Sequence, residues 1–278
     1  MTQRNTDLPD LSGQRVLVTG ASGGIGGGIA RRFAAAGARV AVHYRGTTAA
    51  STDAAFALVE ELRQRGGEAV AVRADLSAQG AAALLVAEAA RALGGLDGLV
   101  NNAGIQPLAP LAETSREEWD EVLGTNLGAV FELSREAAAV MAGPSPLPEP
   151  VEAGGSDSRR NRWITHIASI EASRPAPAHA HYAVAKAGLV MHARAAALEL
   201  GPAGIRVNTV SPGLVDRPGL AEAWPEGVAS WIAHAPLGRL ATAEDIGDAC
   251  VLLASPAASF ITGQDLAVDG GMLATPGW

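Results

Sequence analysis

Thr19-Gly20-Ala21-Ser22-Gly23-Gly24-Ile25-Gly26 follows the apolar run Val16-Leu17-Val18 and leads into a segment with helical spacing. Glycines let a backbone turn sharply and approach a bound anion, and a helix N-terminus offers unpaired N–H groups and a favourable dipole. The stretch therefore reads as a strand–turn–helix unit that cradles a pyrophosphate. Its spacing is Gly20-x-x-x-Gly24-x-Gly26. The alternative fingerprint G-x-G-x-x-G fails, because Ile29 stands where a third glycine would follow Gly24 and Gly26. In a chain with 33 glycines a merely structural turn is the competing reading, and the strand-to-helix context favours the nucleotide site.

Outward from this unit, apolar β-rich runs alternate with helical ones. Strands are expected at 15–19, 38–44, 68–74, 98–101, 162–168, 205–210 and 264–268, several of them continuous in Val, Ile, Leu and Ala. Helices are expected at 25–36, 50–65, 81–93, 116–141, 182–200 and 243–253. Continuous apolar strands are buried on both faces, and strand–helix alternation implies parallel strands with right-handed crossovers. The fold class is α/β, a doubly wound Rossmann-type three-layer sandwich with ligands at the carboxyl ends of the strands. No repeat or composition break divides residues 1–278, so one domain is expected. Residues 143–161 carry four prolines followed by Gly154-Gly155, which reads as an inserted surface loop. Residues 214–236 hold Trp224 and Trp231 beyond the sixth strand, as a substrate lid or as a helical hairpin packed on the core.

Composition narrows the function class. Of 278 residues 48 % are hydrophobic and 18 % charged, with a formal net charge of -8, so a folded core is expected and nucleic acid is not a partner. No apolar run approaches the roughly 18 residues that span a bilayer, and the polar residues 1–10 lack a signal-peptide core. The one cysteine, Cys250, sits among Ala249, Val251 and Leu252 as a small core residue. These features imply a cytoplasmic protein without membrane attachment. Six histidines show no zinc-like spacing, so no metal is expected.

Residues 19–26, Asn101-Asn102-Ala103-Gly104 and Tyr182-x-x-x-Lys186, in this order, resemble the short-chain dehydrogenase/reductase family, with the likeness running from about Ser12 to Gly271. The resemblance implies a seven-stranded parallel sheet in the order 3-2-1-4-5-6-7 and an NAD(P)(H)-dependent oxidoreductase acting on a small-molecule carbonyl or alcohol. It assigns Gly20, Ser22, Gly23, Gly24, Ile25 and Gly26 to the pyrophosphate and its ribose. Asp75, beside Leu76, would accept from the adenine amino group, and Asn102, Ala103 and Gly104 would floor the cofactor. Pro212, Gly213 and Val215 would meet the nicotinamide. Arg217 departs from the family, standing where many members have a threonine. The resemblance also implies a homo-oligomer, a dimer or a tetramer.

The end of the second strand bears on NAD against NADP. A carboxylate there would bond the ribose hydroxyls and repel a 2′-phosphate. This chain has Val42-His43-Tyr44-Arg45-Gly46-Thr47-Thr48 instead, so Tyr44, Arg45 and Thr47 join the cofactor set and NADP(H) is favoured over NAD(H). Gly23 and Gly27 stand where NADP-preferring relatives often place a second basic residue, and Arg45 is also readable as a solvated surface arginine.

Carried over from the family, Tyr182 is the acid/base, with Lys186, Ser169 and Asn126 completing the catalytic set. Tyr182 and Lys186 share a helix face at a separation of four. An isolated phenol has a pKa of about 10, and an adjacent ammonium favours phenolate. Ser169 would hold the substrate oxygen, and Asn126 would position a water relaying protons to Lys186. His179 and His181 flank the tyrosine as tuning groups, substrate contacts or ordinary loop histidines. His166 reads as a satisfied buried histidine, and Glu171 faces either substrate or solvent. Two other function classes fit the same motifs: a catalytically silent cofactor-binding regulator, and an epimerase or dehydratase that reuses bound cofactor. The intact Ser169, Tyr182, Lys186 and Asn126 disfavour the first, and the short tail disfavours the second.

Overall fold

A computed structural model describes residues 8–143 and 161–275. Seven parallel strands form one sheet in the order β3-β2-β1-β4-β5-β6-β7. The strands are β1 (Arg15–Val18), β2 (Arg39–Tyr44), β3 (Ala69–Arg73), β4 (Gly98–Asn101), β5 (Arg162–Ile167), β6 (Ile205–Pro212) and β7 (Asp265–Val268). The principal helices are α1 (Gly24–Ala35), α2 (Ala49–Gln64), α3 (Ala81–Leu93), α4 (Arg116–Leu123), α5 (Ala129–Ala142), α6 (Ala180–Leu200), α7 (Leu220–Ala223), α8 (Pro225–His234) and α9 (Ala243–Ala254). Every residue of β4 and β6 is buried, including the polar Asn101, Arg206, Asn208, Thr209 and Ser211.

Two apolar layers sandwich the sheet. Val16, Val18, Val40 and Val42 pack with Phe33, Leu58 and Cys250 on the side of α1, α2 and α9. Leu17, Leu99, Ile164 and Val207 pack with Leu85, Leu133 and Ala193 on the side of α3, α5 and α6. Trp163 stacks on Phe33 with ring centroids 5.2 Å apart. At the amino ends of the strands the Arg15 guanidinium grips Asp97 through two bonds of 2.6 and 2.8 Å, tying β1 to β4 away from the site. Burial pushes the Cys250 thiol up, as befits a core residue. Among the described residues no helix is long and apolar enough to cross a membrane.

The expected helix over 116–141 is not continuous. Ser115 and Glu118 form a capping box that starts α4, and a π-helical turn over Gly124–Gly128 then widens the chain before α5. Such turns are rare and concentrate at functional sites, and this one carries Asn126. The expected insertion at 143–161 lies outside the described residues apart from its two ends, Gly143 and Asn161.

Candidate active site

The glycine turn joins β1 to α1 at the carboxyl edge of the sheet. Gly23 is the N-cap of α1, no side chain caps the helix, and no acid lies in its first turn. The first-turn amides are thereby left to an anion from outside the helix. The glycines divide the labour. A side-chain carbon on Gly26 would strike the Gly20 carbonyl and come within 2.5 Å of the Asn102 amide, whereas Gly23 and Gly24 border open space. Ser22 is half-buried between them.

Asn102–Gly104 is lashed to this turn. The Asn102 amide donates to the carbonyls of Thr19 and Gly20 at 2.9 and 3.1 Å, and Thr19 Oγ1 accepts from the backbone N–H groups of Asn102 and Ala103. The floor expected beneath a cofactor therefore moves as one piece with the glycine turn. A third attachment was not expected from sequence. His43, buried in β2, accepts from the Gly20 N–H through Nδ1 at 3.0 Å and lies 3.1 Å from the Ala74 carbonyl through Nε2. This pairing selects the Nε2–H tautomer, and burial holds the imidazole below its ordinary pKa, so the ring stays a neutral bridge.

Just after β3, Asp75 Oδ1 accepts from the N–H and hydroxyl of Ser77 at 3.1 and 2.7 Å, which lowers its pKa. Its other oxygen lies 3.7 Å from Arg45 Nε. The Tyr44 ring belongs to the core, edge-on to Phe56, and Leu76 packs against the α3 layer. Thr47 is exposed at the turn, beside Thr48, which caps α2.

At the chemical end β5, α6 and the π turn converge. Tyr182 and Lys186 lie on α6, with the ammonium 5.4 Å from the phenol ring centroid. Lys186 is buried and donates to the Ile167 carbonyl at 2.7 Å, which leaves two of its three N–H bonds for other partners. Desolvation pulls its pKa from 10.5 to about 8. Burial pushes Tyr182 up to about 12, opposed by a hydrogen bond from Ser169 and reinforced by the charge of Glu171. Ser169 Oγ also accepts from the Glu171 N–H at 3.1 Å, capping a short 3-10 turn. Tyr182, Lys186 and Ser169 are brought together, and the π turn that carries Asn126 packs on α6. The Asn126 side chain closes a ring with Ile105, accepting from its N–H at 2.8 Å and donating to its carbonyl at 2.7 Å, so its first duty is to hold the loop after β4.

His166 bonds on both nitrogens, to Asn101 and to His192, each at 3.1 Å, and burial keeps it neutral at a pKa of about 3. His179 and His181 are not surface loop residues. His179 is the N-cap of α6 and His181 is fully buried, with Nδ1 accepting from the Tyr182 N–H at 2.8 Å.

Beyond β6, the Gly213 N–H bonds to the Val268 carbonyl, and the Trp231 ring packs against Gly213. Val215 bridges to Ala241, using the Leu214 carbonyl and the Asp216 N–H, so its own backbone groups face the other way. Arg217 is exposed and, with Asp216, Gly219, Glu222 and Thr242, lines an open cleft of about 470 Å³. Trp224 is half exposed.

A family model described as enoyl-(acyl carrier protein) reductase matches residues 20–273. The 3beta-hydroxysteroid dehydrogenase 1 of Eggerthella lenta is 37 % identical over 271 residues, covering 97 % of each chain. The chain belongs to the short-chain dehydrogenase/reductase family. The L-rhamnose 1-dehydrogenase (NAD(P)(+)) of Azotobacter vinelandii is 36 % identical and covers 94 % of this chain and 97 % of that one. A solved 7 alpha-hydroxysteroid dehydrogenase, complexed with NADH and 7-oxo glycochenodeoxycholic acid, superposes with a TM-score of 0.83 at 33 % identity, over 94 % of this chain and 95 % of that one. As a short-chain dehydrogenase/reductase the protein is an oxidoreductase that uses a nicotinamide cofactor and acts on alcohol or carbonyl groups.

Proposed function

We propose that Tyr182 is the acid/base that moves the proton at the substrate oxygen, with Ser169 holding that oxygen and Lys186 favouring the phenolate. The observation that carries this reading is the buried Lys186 ammonium set 5.4 Å from the Tyr182 ring, with Ser169 placed to lower the pKa of that phenol. A nicotinamide cofactor held at Gly20–Gly26 would supply or accept the hydride. For reduction the Tyr182 hydroxyl protonates the substrate oxygen; for oxidation the phenolate takes that proton. The buried ammonium lowers the cost of the phenolate in both directions. Asn126 holds the Ile105 loop, and its second N–H remains for a proton-relaying water. Val215 is the backbone grip on the carboxamide, Pro212 and Gly213 set its approach, and residues 214–236 cover the substrate, with Trp231 already seated on Gly213.

The same reading favours NADP(H). No carboxylate stands at the end of β2, and two cations flank Gly46 there. Arg45 follows β2, and Arg73 ends β3, where its side chain lies across the Gly46 backbone; a side-chain carbon on Gly46 would come 2.7 Å from Arg73 Nε. Gly46 also has a φ of 68°, a conformation that favours glycine. A 2′-phosphate would receive charge-assisted bonds from one or both guanidinium groups. Wild type is expected to show a higher kcat/KM for NADPH than for NADH, and the double variant R45A/R73A to lose about tenfold or more of that ratio. An unchanged ratio, or a wild type that prefers NADH, would remove the assignment.

Phe131 on α5 and Met191 and Leu198 on α6 are 51, 59 and 82 % exposed. Such apolar faces support a homo-oligomer, and the buried free thiol of Cys250 supports a reducing cytoplasm. Recovered from the cytosolic fraction, the protein is expected to scatter light at the mass of two or four chains; a membrane-pellet location or a single-chain mass contradicts this.

A further inference from the structure

Gln106, Glu171 and His179 form a polar cluster that the proton-transfer scheme leaves unused. They come from three different segments: the loop after β4, the turn after Ser169, and the N-cap of α6. Glu171 Oε2 bonds His179 Nδ1 at 2.8 Å and Oε1 accepts from the Gln106 side chain at 3.2 Å. The Glu171 and His179 side chains are only 15 and 13 % exposed. The His179 ring stands edge-on to Tyr182 with centroids 6.0 Å apart, and the Glu171 charge is near enough to disfavour the phenolate. A carboxylate that works against the acid/base is costly to keep there, and so is His179 Nε2, which is buried without a hydrogen-bond partner.

We propose that this cluster is the substrate-recognition end of the site, and that the substrate carries a hydroxyl on the carbon next to its reacting carbon, bonded by His179 Nε2. The assignment rests on the placement of Tyr182 and Ser169 at the reacting oxygen. Glu171 fixes the ring with Nδ1–H toward itself, so Nε2 accepts when the imidazole is neutral and donates when it is protonated. A hydroxyl satisfies both states, whereas a carbonyl or ether satisfies only the second. Gln106 restrains the other carboxylate oxygen, so the three segments present one rigid polar wall. The substrate class is therefore a vicinal hydroxy-ketone or diol rather than an isolated ketone in an apolar frame.

The test pairs cyclohexanone with 2-hydroxycyclohexanone, and 2-butanone with acetoin, on wild type and on H179L. The expected result is a wild-type kcat/KM at least about tenfold higher for the hydroxylated member of each pair, and a fall of that ratio toward one in H179L. E171Q, which keeps an acceptor for Nδ1–H, is expected to retain part of the preference. Equal wild-type rates on both members overturn the proposal. So does an equal fall on both members in H179L, which is what a purely structural link between the three segments, or a held water, would produce. Turnover of neither pair despite intact cofactor binding, measured by fluorescence, overturns the Tyr182 scheme together with this assignment and so separates the two failures.

Discussion

Tyr182→Phe is expected to lower kcat by about three orders of magnitude while changing cofactor affinity less than about threefold. Phenylalanine retains the ring that packs against His179 and lies under the Lys186 ammonium, so the fold and the distant glycine turn around Gly20 and Gly26 keep their packing. Only the hydroxyl is removed, and with it the group that gives or takes the proton beside Ser169. Turnover followed by nicotinamide absorbance and affinity followed by cofactor fluorescence separate chemistry from binding. A variant with near-normal turnover would strip Tyr182 of the role, whatever the fate of the remaining residues.

The parts of this arrangement that sequence makes legible are those specified locally. Val16–Val18 and Val40–Val42 are buried on both faces, and that burial writes itself as unbroken apolar sequence. The glycine turn and the i,i+4 pair Tyr182 and Lys186 are likewise spacings within one unit. What stays illegible depends on contacts between units. Gly124–Gly128 has nothing in its composition that demands a π turn; the widening accompanies the bonds between Asn126 and Ile105, 21 residues earlier. His43 looks like one more strand residue until β2 is docked beside the glycine turn and Ala74. Arg73 shows its place at the end of β2 only once β3 is paired so that Tyr44 lies opposite Arg73. Glu171 reads in sequence as facing substrate or solvent, and the docking of α6 turns its carboxylate to His179.

Lys186→Met is expected to lower turnover by at least about a hundredfold near neutral pH without lowering the melting temperature. The stability argument follows from the direction of the lysine shift. Desolvation pulls the folded pKa from 10.5 to about 8, so the unfolded chain holds the proton more tightly. Below about pH 8 the buried ammonium therefore costs the fold about 3 kcal/mol, a cost that fades as pH rises from about 8 to 10.5. Methionine fills similar volume without the charge, and removing that cost offsets the donor lost to the Ile167 carbonyl, worth about 1–3 kcal/mol. Catalysis responds in the opposite sense. Tyr182 is pushed up to about 12, chiefly by burial and against the lowering by Ser169, and the Lys186 ammonium 5.4 Å from its ring is the cation placed to favour the phenolate. Alcohol oxidation needs that phenolate, so removing the ammonium moves the rising limb of kcat/KM to higher pH, and the deficit against wild type narrows as pH increases. The limb belongs to the tyrosine–lysine pair rather than to either residue, so its displacement, not its absolute position, is the quantity to measure. A Lys186→Met enzyme with an unmoved limb and a uniformly lower rate would confine Lys186 to holding the cofactor and remove it from the proton transfer.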